Sequence, residues 1–204
     1  MKYESLYTMN HFRFRLGLDY ALGHEYALVD RVLFPETTSR LGEFCNGLEY
    51  GPCRQTPIWQ EFEQCGFVDR DWSEEIDWLV RETEEVVLSL ARAKVRHGLM
   101  RWRVNDISIQ RYARCDTGIA WHRDYASDKH LVVVYTVRGV AQLNIETIEG
   151  SKRELLARSG SVLMLTGPDP LTGDDPRLRH QVGPPLTDEP RISIALRMHV
   201  AGDE

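Results

Sequence analysis

The sequence predicts an α+β chain that is mainly β, with a helical first half (1–104) bracing an antiparallel sandwich or barrel (105–204) in one compact domain. Two observations predict it. After residue 105, short runs of β-branched and aromatic residues recur between turn signals, and before it the longest apolar pattern has helical spacing.

Taken in order, residues 20–33 have a partly helical character, and a short helix is expected after Pro35, whose fixed φ suits a first helical position. The clearest helix spans 73–97. There Ile76, Leu79, Val80, Val86, Val87, Leu90, Ala91 and Val95 recur at helical intervals, with Glu74, Glu75 and Asp77 in the first turn and Lys94, Arg96 and His97 in the last, where they complement the helix dipole. Strands are expected over 107–112, 131–137, 140–145, 154–157, 161–165 and 192–198, with Arg138-Gly139 and Ser159-Gly160 as hairpin turns. The loop 167–179, rich in proline and aspartate, is long enough to form the rim of a site. Trp59, Trp72, Trp78 and Trp102 are expected to pack the helices onto the sheet, and Trp121 to pack in the core.

Composition excludes several classes. No apolar run approaches the ~20 residues of a membrane span, and the start lacks a secretory signal, so a cytoplasmic protein is expected, monomer or homodimer, with no membrane partner. Cys45, Cys53, Cys65 and Cys115 form no C-x-x-C pair, which argues against a disulfide framework and a thiolate metal site. The net charge of -6 argues against a general nucleic-acid binder, although the chain is acidic between Glu61 and Val86 and basic between Arg92 and Arg123. Acidic loop residues such as Asp116, Asp169, Asp174 and Asp175 lack a calcium-loop pattern and read as solvated, as does His199 beyond the last strand.

Chemistry concentrates in Trp121-His122-Arg123-Asp124. Strand alternation would put His122 and Asp124 on one face, and His180, in a short strand after the long loop, is the leading third ligand. Two histidines and a carboxylate on one side of an ion leave the opposite positions open, the arrangement suited to non-haem Fe(II). The tail adds Arg191-Ile192-Ser193-Ile194-Ala195-Leu196-Arg197. Here the apolar residues share one face and both arginines the other, where a dicarboxylate would suit them.

Taken together, Gln110-Arg111-Tyr112-Ala113, His122-x-Asp124, Gly160-Ser161-Val162-Leu163, Arg179-His180 and Arg191-x5-Arg197 resemble, in order and approximate spacing, the Fe(II)- and 2-oxoglutarate-dependent dioxygenases, and most of all their AlkB-like branch. The resemblance covers 107–198 and implies a double-stranded β-helix, or jelly roll, with N-terminal bracing helices. It implies Fe(II), 2-oxoglutarate and O2 as cofactor and cosubstrates, with His122, Asp124 and His180 on iron. It also implies Arg191 on the distal carboxylate of 2-oxoglutarate, Tyr112 hydrogen-bonded to that carboxylate, Gln110 beside them, and Arg197 nearer the keto-acid end.

The family usually has Asn where Gln110 stands, and the AlkB enzyme has a base-reading acid where this chain has Ala126. Hydroxylation or oxidative dealkylation of a small molecule or nucleotide is therefore the expectation. An AlkB-like nucleic-acid base oxidase or demethylase is the first alternative, with nucleic acid as a partner, and a non-catalytic jelly-roll binding module the second. Arg123 and Tyr125 are the substrate-side candidates, and His130 is read as a surface or structural residue.

Overall fold

The structure, a computed structural model, describes residues 7–53, 60–65, 73–113, 118–173 and 175–201, with backbone alone at 60–63 and 65. Three helices, α1 (His11–His24), α2 (Pro35–Asn46) and α3 (Glu74–Lys94), are described, with a 3-10 turn at Leu99–Arg101. The strands are β1 (Tyr26–Val29), β2 (Gly51–Cys53), β3 (Gln60–Cys65), β4 (Asp106–Tyr112), β5 (Gly118–His122), β6 (Asp128–Arg138), β7 (Val140–Glu146), β8 (Lys152–Arg158), β9 (Val162–Thr166), β10 (Arg179–Pro185) and β11 (Arg191–His199).

The pairing follows the path β1-β9-β6-β11-β4-β3-β5-β10-β7-β8, all antiparallel. It resolves into two layers. A larger sheet runs from β1 to β4 and a smaller one from β5 to β8, while β3 joins them by pairing Gln60 and Glu61 with β5 and Glu63 to Cys65 with β4. From β4 onward the chain repeatedly changes sheet, and the fold is a double-stranded β-helix.

Two cores follow from strand alternation. Leu131, Val133 and Tyr135 of β6 and Ile192, Ile194 and Leu196 of β11 face the helices, joining Phe14 and Leu18 of α1 and Ile76, Leu79 and Leu90 of α3. The intervening residues face the smaller sheet, where Val132, Leu163 and Leu165 meet Leu143 and Ile145. The helices are held at their starts by side chains: Asn10 accepts from the Arg13 N–H (3.0 Å) and Ser73 from the Ile76 N–H (3.1 Å), while Pro35 begins α2. Trp78 and Trp102 are buried as expected, and Trp102 Nε1 donates to the Leu131 carbonyl at 2.8 Å, tying the turn after α3 to β6. Trp59, Trp72, Cys115, Asp116 and Asp174, and the Cys65 side chain, lie outside the described residues.

One expectation holds in part and another requires correction. Residues 20–33 are partly helical, as expected, but the helix does not extend past His24: Glu25 takes a left-handed φ of 66°, and Tyr26–Val29 is a strand paired with Val162–Leu165. Non-local ladder bonds to β9 decide that segment, not its local propensity. Arg138-Gly139 and Ser159-Gly160 are not hairpin turns. At each, the chain passes between the two sheets, β6 to β7 and β8 to β9, and the corners bond to each other through Ser159 N–H to the Gly139 carbonyl (3.0 Å). Gly139, at φ 69°, lies so close to Pro190 that a Cβ would meet its carbonyl oxygen at 2.7 Å. The hairpin is β7–β8, closed by Thr147 N–H to Ser151 O (2.8 Å). Among the described residues no helix is long and apolar enough to cross a membrane.

Because Trp102 is fully buried and satisfies its indole N–H, Trp102→Ala should cost about 3–5 kcal/mol of unfolding free energy. Urea denaturation followed by circular dichroism measures it.

Candidate metal centre

The smaller sheet carries two of the three expected ligands. His122 ends β5 and sits directly opposite His180 of β10, but Ile119, three residues before His122, pairs with Val182, two residues after His180, so β5 contains one extra residue. This bulge lets Ile119 and His122 both face the interior, where they line the same cavity. Asp124 lies two residues past the end of β5, so loop conformation brings its carboxylate alongside His122, in place of the strand alternation expected from sequence. One ligand atom from each of His122, Asp124 and His180 lies within 4.8 Å of the others, with His180 Nε2 3.9 Å from Asp124 Oδ1 and the two rings 4.2 Å apart.

Both imidazoles are oriented by their own strands. His122 Nδ1 lies 2.8 Å from the Ala120 carbonyl and His180 Nδ1 3.3 Å from the Leu178 carbonyl, so each Nδ1 donates and each Nε2 is left as the ligand atom. Burial, then the neighbouring His180, pushes the His122 imidazole down to about 4, leaving it neutral and ready to coordinate. Asp124 is held below the usual carboxylate range by His180, Arg197, His122 and Arg177, which together outweigh its burial. Two imidazoles and one carboxylate fit a divalent first-row metal with open coordination positions.

Arg191 and Arg197 both point from β11 into this cavity, as their spacing predicts, yet their surroundings differ. Arg191 is 4% exposed. Its Nη1 and Nη2 lie by the hydroxyls of Ser193 (3.3 Å) and Thr136 (3.4 Å), its Nε is buried without a partner, and the Tyr112 side chain also hydrogen-bonds the guanidinium, its ring centred 5.1 Å from Cζ. Among the described residues no carboxylate neutralises it, and burial lowers its pKa. Arg197, in contrast, lies 3.4 Å from Asp106 and 3.7 Å from Asp128, and donates to Ser108 Oγ at 3.0 Å. Tyr112, pushed up to about 12 chiefly by burial, remains a phenol and donates to Gln110 Oε1 at 2.9 Å. A narrow cavity of ≈ 60 Å³ connects these groups, lined by Gln110, Tyr112, the three candidate ligands and both arginines, with apolar walls from both sheets.

Asp128 was not foreseen. β6 carries two extra residues against β11 between Val132 and Asp128, with His130 at φ 64°, and this brings Asp128 to Arg197 and to His199 Nδ1 (3.1 Å). His199 is therefore the last residue of β11, not beyond it, and its side chain, 36% exposed, also partners a buried carboxylate. Asp106, Asp128 and His199 cluster closely enough to hold a cation, but the Arg197 guanidinium already neutralises that group. His130 is buried beside Asp169 (3.6 Å). Trp121 is not in the core: it lies on the outer face of the smaller sheet with Lys152 Nζ 5.3 Å and Arg179 Cζ 5.9 Å from its ring, because His122 takes the inward position. Of the substrate-side candidates, Tyr125 is 53% exposed at the rim and Arg123 bonds the Arg177 carbonyl; neither lines the cavity.

No family model and no curated protein matches the chain. Solved structures do. A Pseudomonas putida prolyl-4-hydroxylase aligns with a TM-score of 0.70 at 13% identity, over 91% of this chain and 98% of that one. The 2-oxoglutarate-dependent epimerase SnoN from nogalamycin biosynthesis aligns at 0.66 and 14%, over 94% and 81%. A viral collagen prolyl hydroxylase from Paramecium bursaria Chlorella virus-1 aligns at 0.63 and 18%, over 87% and 97%. The fold is the one these 2-oxoglutarate oxygenases share.

The depressed His122 gives the metal-free protein a signed pH dependence. Unfolded, His122 takes up a proton near pH 6.5; folded, it does so only near pH 4, so its contribution is lost as pH falls between those values. Unfolding free energy measured in denaturant should therefore fall more steeply from pH 7.5 to 5 in wild type than in His122→Gln.

Proposed function

We propose that this chain is an Fe(II)- and 2-oxoglutarate-dependent oxygenase that hydroxylates, or oxidatively dealkylates, an organic substrate. The observation that carries the reading is the pairing, in one cavity, of a two-histidine, one-carboxylate group with a buried arginine that has no counter-charge among the described residues.

In this reading His122, Asp124 and His180 hold the metal from one side. Arg191 receives the distal carboxylate of 2-oxoglutarate through its unpartnered Nε and its weakly bonded Nη groups, and Ser193, Thr136 and the Tyr112–Gln110 pair supply hydrogen bonds around it. Arg197, held by Asp106 and Asp128, stands nearer the metal as a fixed positive charge. Iron with 2-oxoglutarate and O2, when bound, supplies oxidation of an unactivated C–H bond; the apolar walls keep water from the site and burial keeps His122 neutral.

A small molecule or free nucleotide is the substrate this reading favours. The AlkB-like alternative draws on the order of sequence motifs, and none of the three enzymes named above is described as acting on nucleic acid. A non-catalytic binding module would have no use for an uncompensated charge next to three metal ligands.

Anaerobic titration of the metal-free protein with Fe(II) and 2-oxoglutarate should produce the weak visible charge-transfer band of the chelate in wild type and not in His180→Ala; no band in wild type would sink the proposal. Replacing Arg191 separates function from stability. Arg191→Met should weaken 2-oxoglutarate binding by about 2–5 kcal/mol, as truncation of a buried charge partner does. The same change should raise the urea midpoint of the ligand-free protein, because it removes a buried unpaired charge.

A further inference from the structure

Asp124 is the one candidate ligand outside a strand, and its loop would be free to swing without a tie from elsewhere. The tie comes from the segment that leads into β10. Arg177 Nη1 donates to the Asp124 carbonyl at 2.8 Å, while the other edge of the same guanidinium grips Asp175, Nε to Oδ1 at 2.8 Å and Nη2 to Oδ2 at 2.7 Å. The Arg177 N–H also donates to Asp175 Oδ1 at 3.2 Å, so the carboxylate holds both the backbone and the side chain of Arg177. Arg123, the residue before Asp124, returns the contact, its Nε donating to the Arg177 carbonyl at 3.0 Å.

The loop carrying Asp124 and the segment ending in His180 are thus cross-tied in both directions. A planar guanidinium fixes directions as well as distance, since the two hydrogen bonds to Asp175 set where Nη1 points. An ordinary surface ion pair contributes little, but this one is bidentate and ends on the backbone of a ligand-bearing loop. The positive charge also lies close enough to help keep Asp124 ionised.

We propose that Arg177, oriented by Asp175, is a positioning residue that fixes Asp124 against His180 and so preorganises the metal centre. The proposal rests on the metal-centre reading above. Asp175 acts only through Arg177, and neither residue touches the metal. Loss of either should weaken metal binding about tenfold to a hundredfold, the usual effect of removing a group that orients a ligand.

The test is titration of the full chain with Co(II), followed by its visible d–d bands, in wild type, His180→Ala, Arg177→Met, Asp175→Asn and the double variant, with far-UV circular dichroism confirming the fold of each. Expected are a tenfold or greater rise in Kd with altered bands in both single variants, and a double variant no weaker than Arg177→Met. If Arg177→Met misfolds, Asp175→Asn, which keeps size and loses only the charged grip, carries the comparison. Wild-type affinity and bands in the single variants, or additive losses in the double variant, overturn the positioning role while binding that needs His180 leaves the metal centre standing. Absence of Co(II) binding in wild type overturns the metal-centre reading and this proposal with it.

Discussion

Arg191 imposes the constraint around which the interior is arranged. A guanidinium taken out of water is destabilising unless an anion accompanies it, and here the described residues offer hydroxyls and an aromatic face but no carboxylate. β11 is central in the larger sheet, between β4 and β6, so Arg191 cannot turn to solvent without breaking two ladders. The apolar face of the same strand is equally committed, because Ile192, Ile194 and Leu196 pack under the helices. Alternation therefore locks the charge into the cavity, where, under the proposed function, it would receive a carboxylate.

The two arginines show how a small difference in neighbours separates two roles. Six residues apart on one strand face, they share the cavity, but the bulged start of β6 delivers Asp128 to Arg197 and none of the described carboxylates to Arg191. One arginine is internally neutralised and acts as a fixed structural charge. The other keeps its capacity for an external anion. Across the cavity, the bulge in β5 turns His122 inward to meet His180, and the candidate metal ligands and the proposed anion site end up on opposite sheets facing each other.

Much of this could be read from residues whose meaning is local. The period-two pattern of 191–197 showed both arginines on one face because side chains alternate across a strand, and the charge-capped pattern of α3 marked its ends within a few residues. Features set by distant partners were not readable. Turn residues at Arg138-Gly139 announce a change of direction without saying which sheet the chain enters next, and Tyr26–Val29 becomes a strand only because β9 lies beside it. The extra residues in β5 and β6, which decide the aim of His122 and Asp128, leave no composition signal. Asp175 looked like a solvated loop charge, since the Arg177 it holds reaches a backbone carbonyl far along the chain.

The most direct test of the central claim is calorimetric titration of the Mn(II)-loaded protein, without O2, with 2-oxoglutarate and with 2-oxobutyrate, which keeps the metal-chelating end and lacks the distal carboxylate. The account predicts that 2-oxoglutarate binds at least tenfold more tightly, by about 1.4 kcal/mol or more, and that Arg191→Met removes the difference. Equal binding of the two acids by wild type would contradict it, because the buried guanidinium would then have no carboxylate to receive.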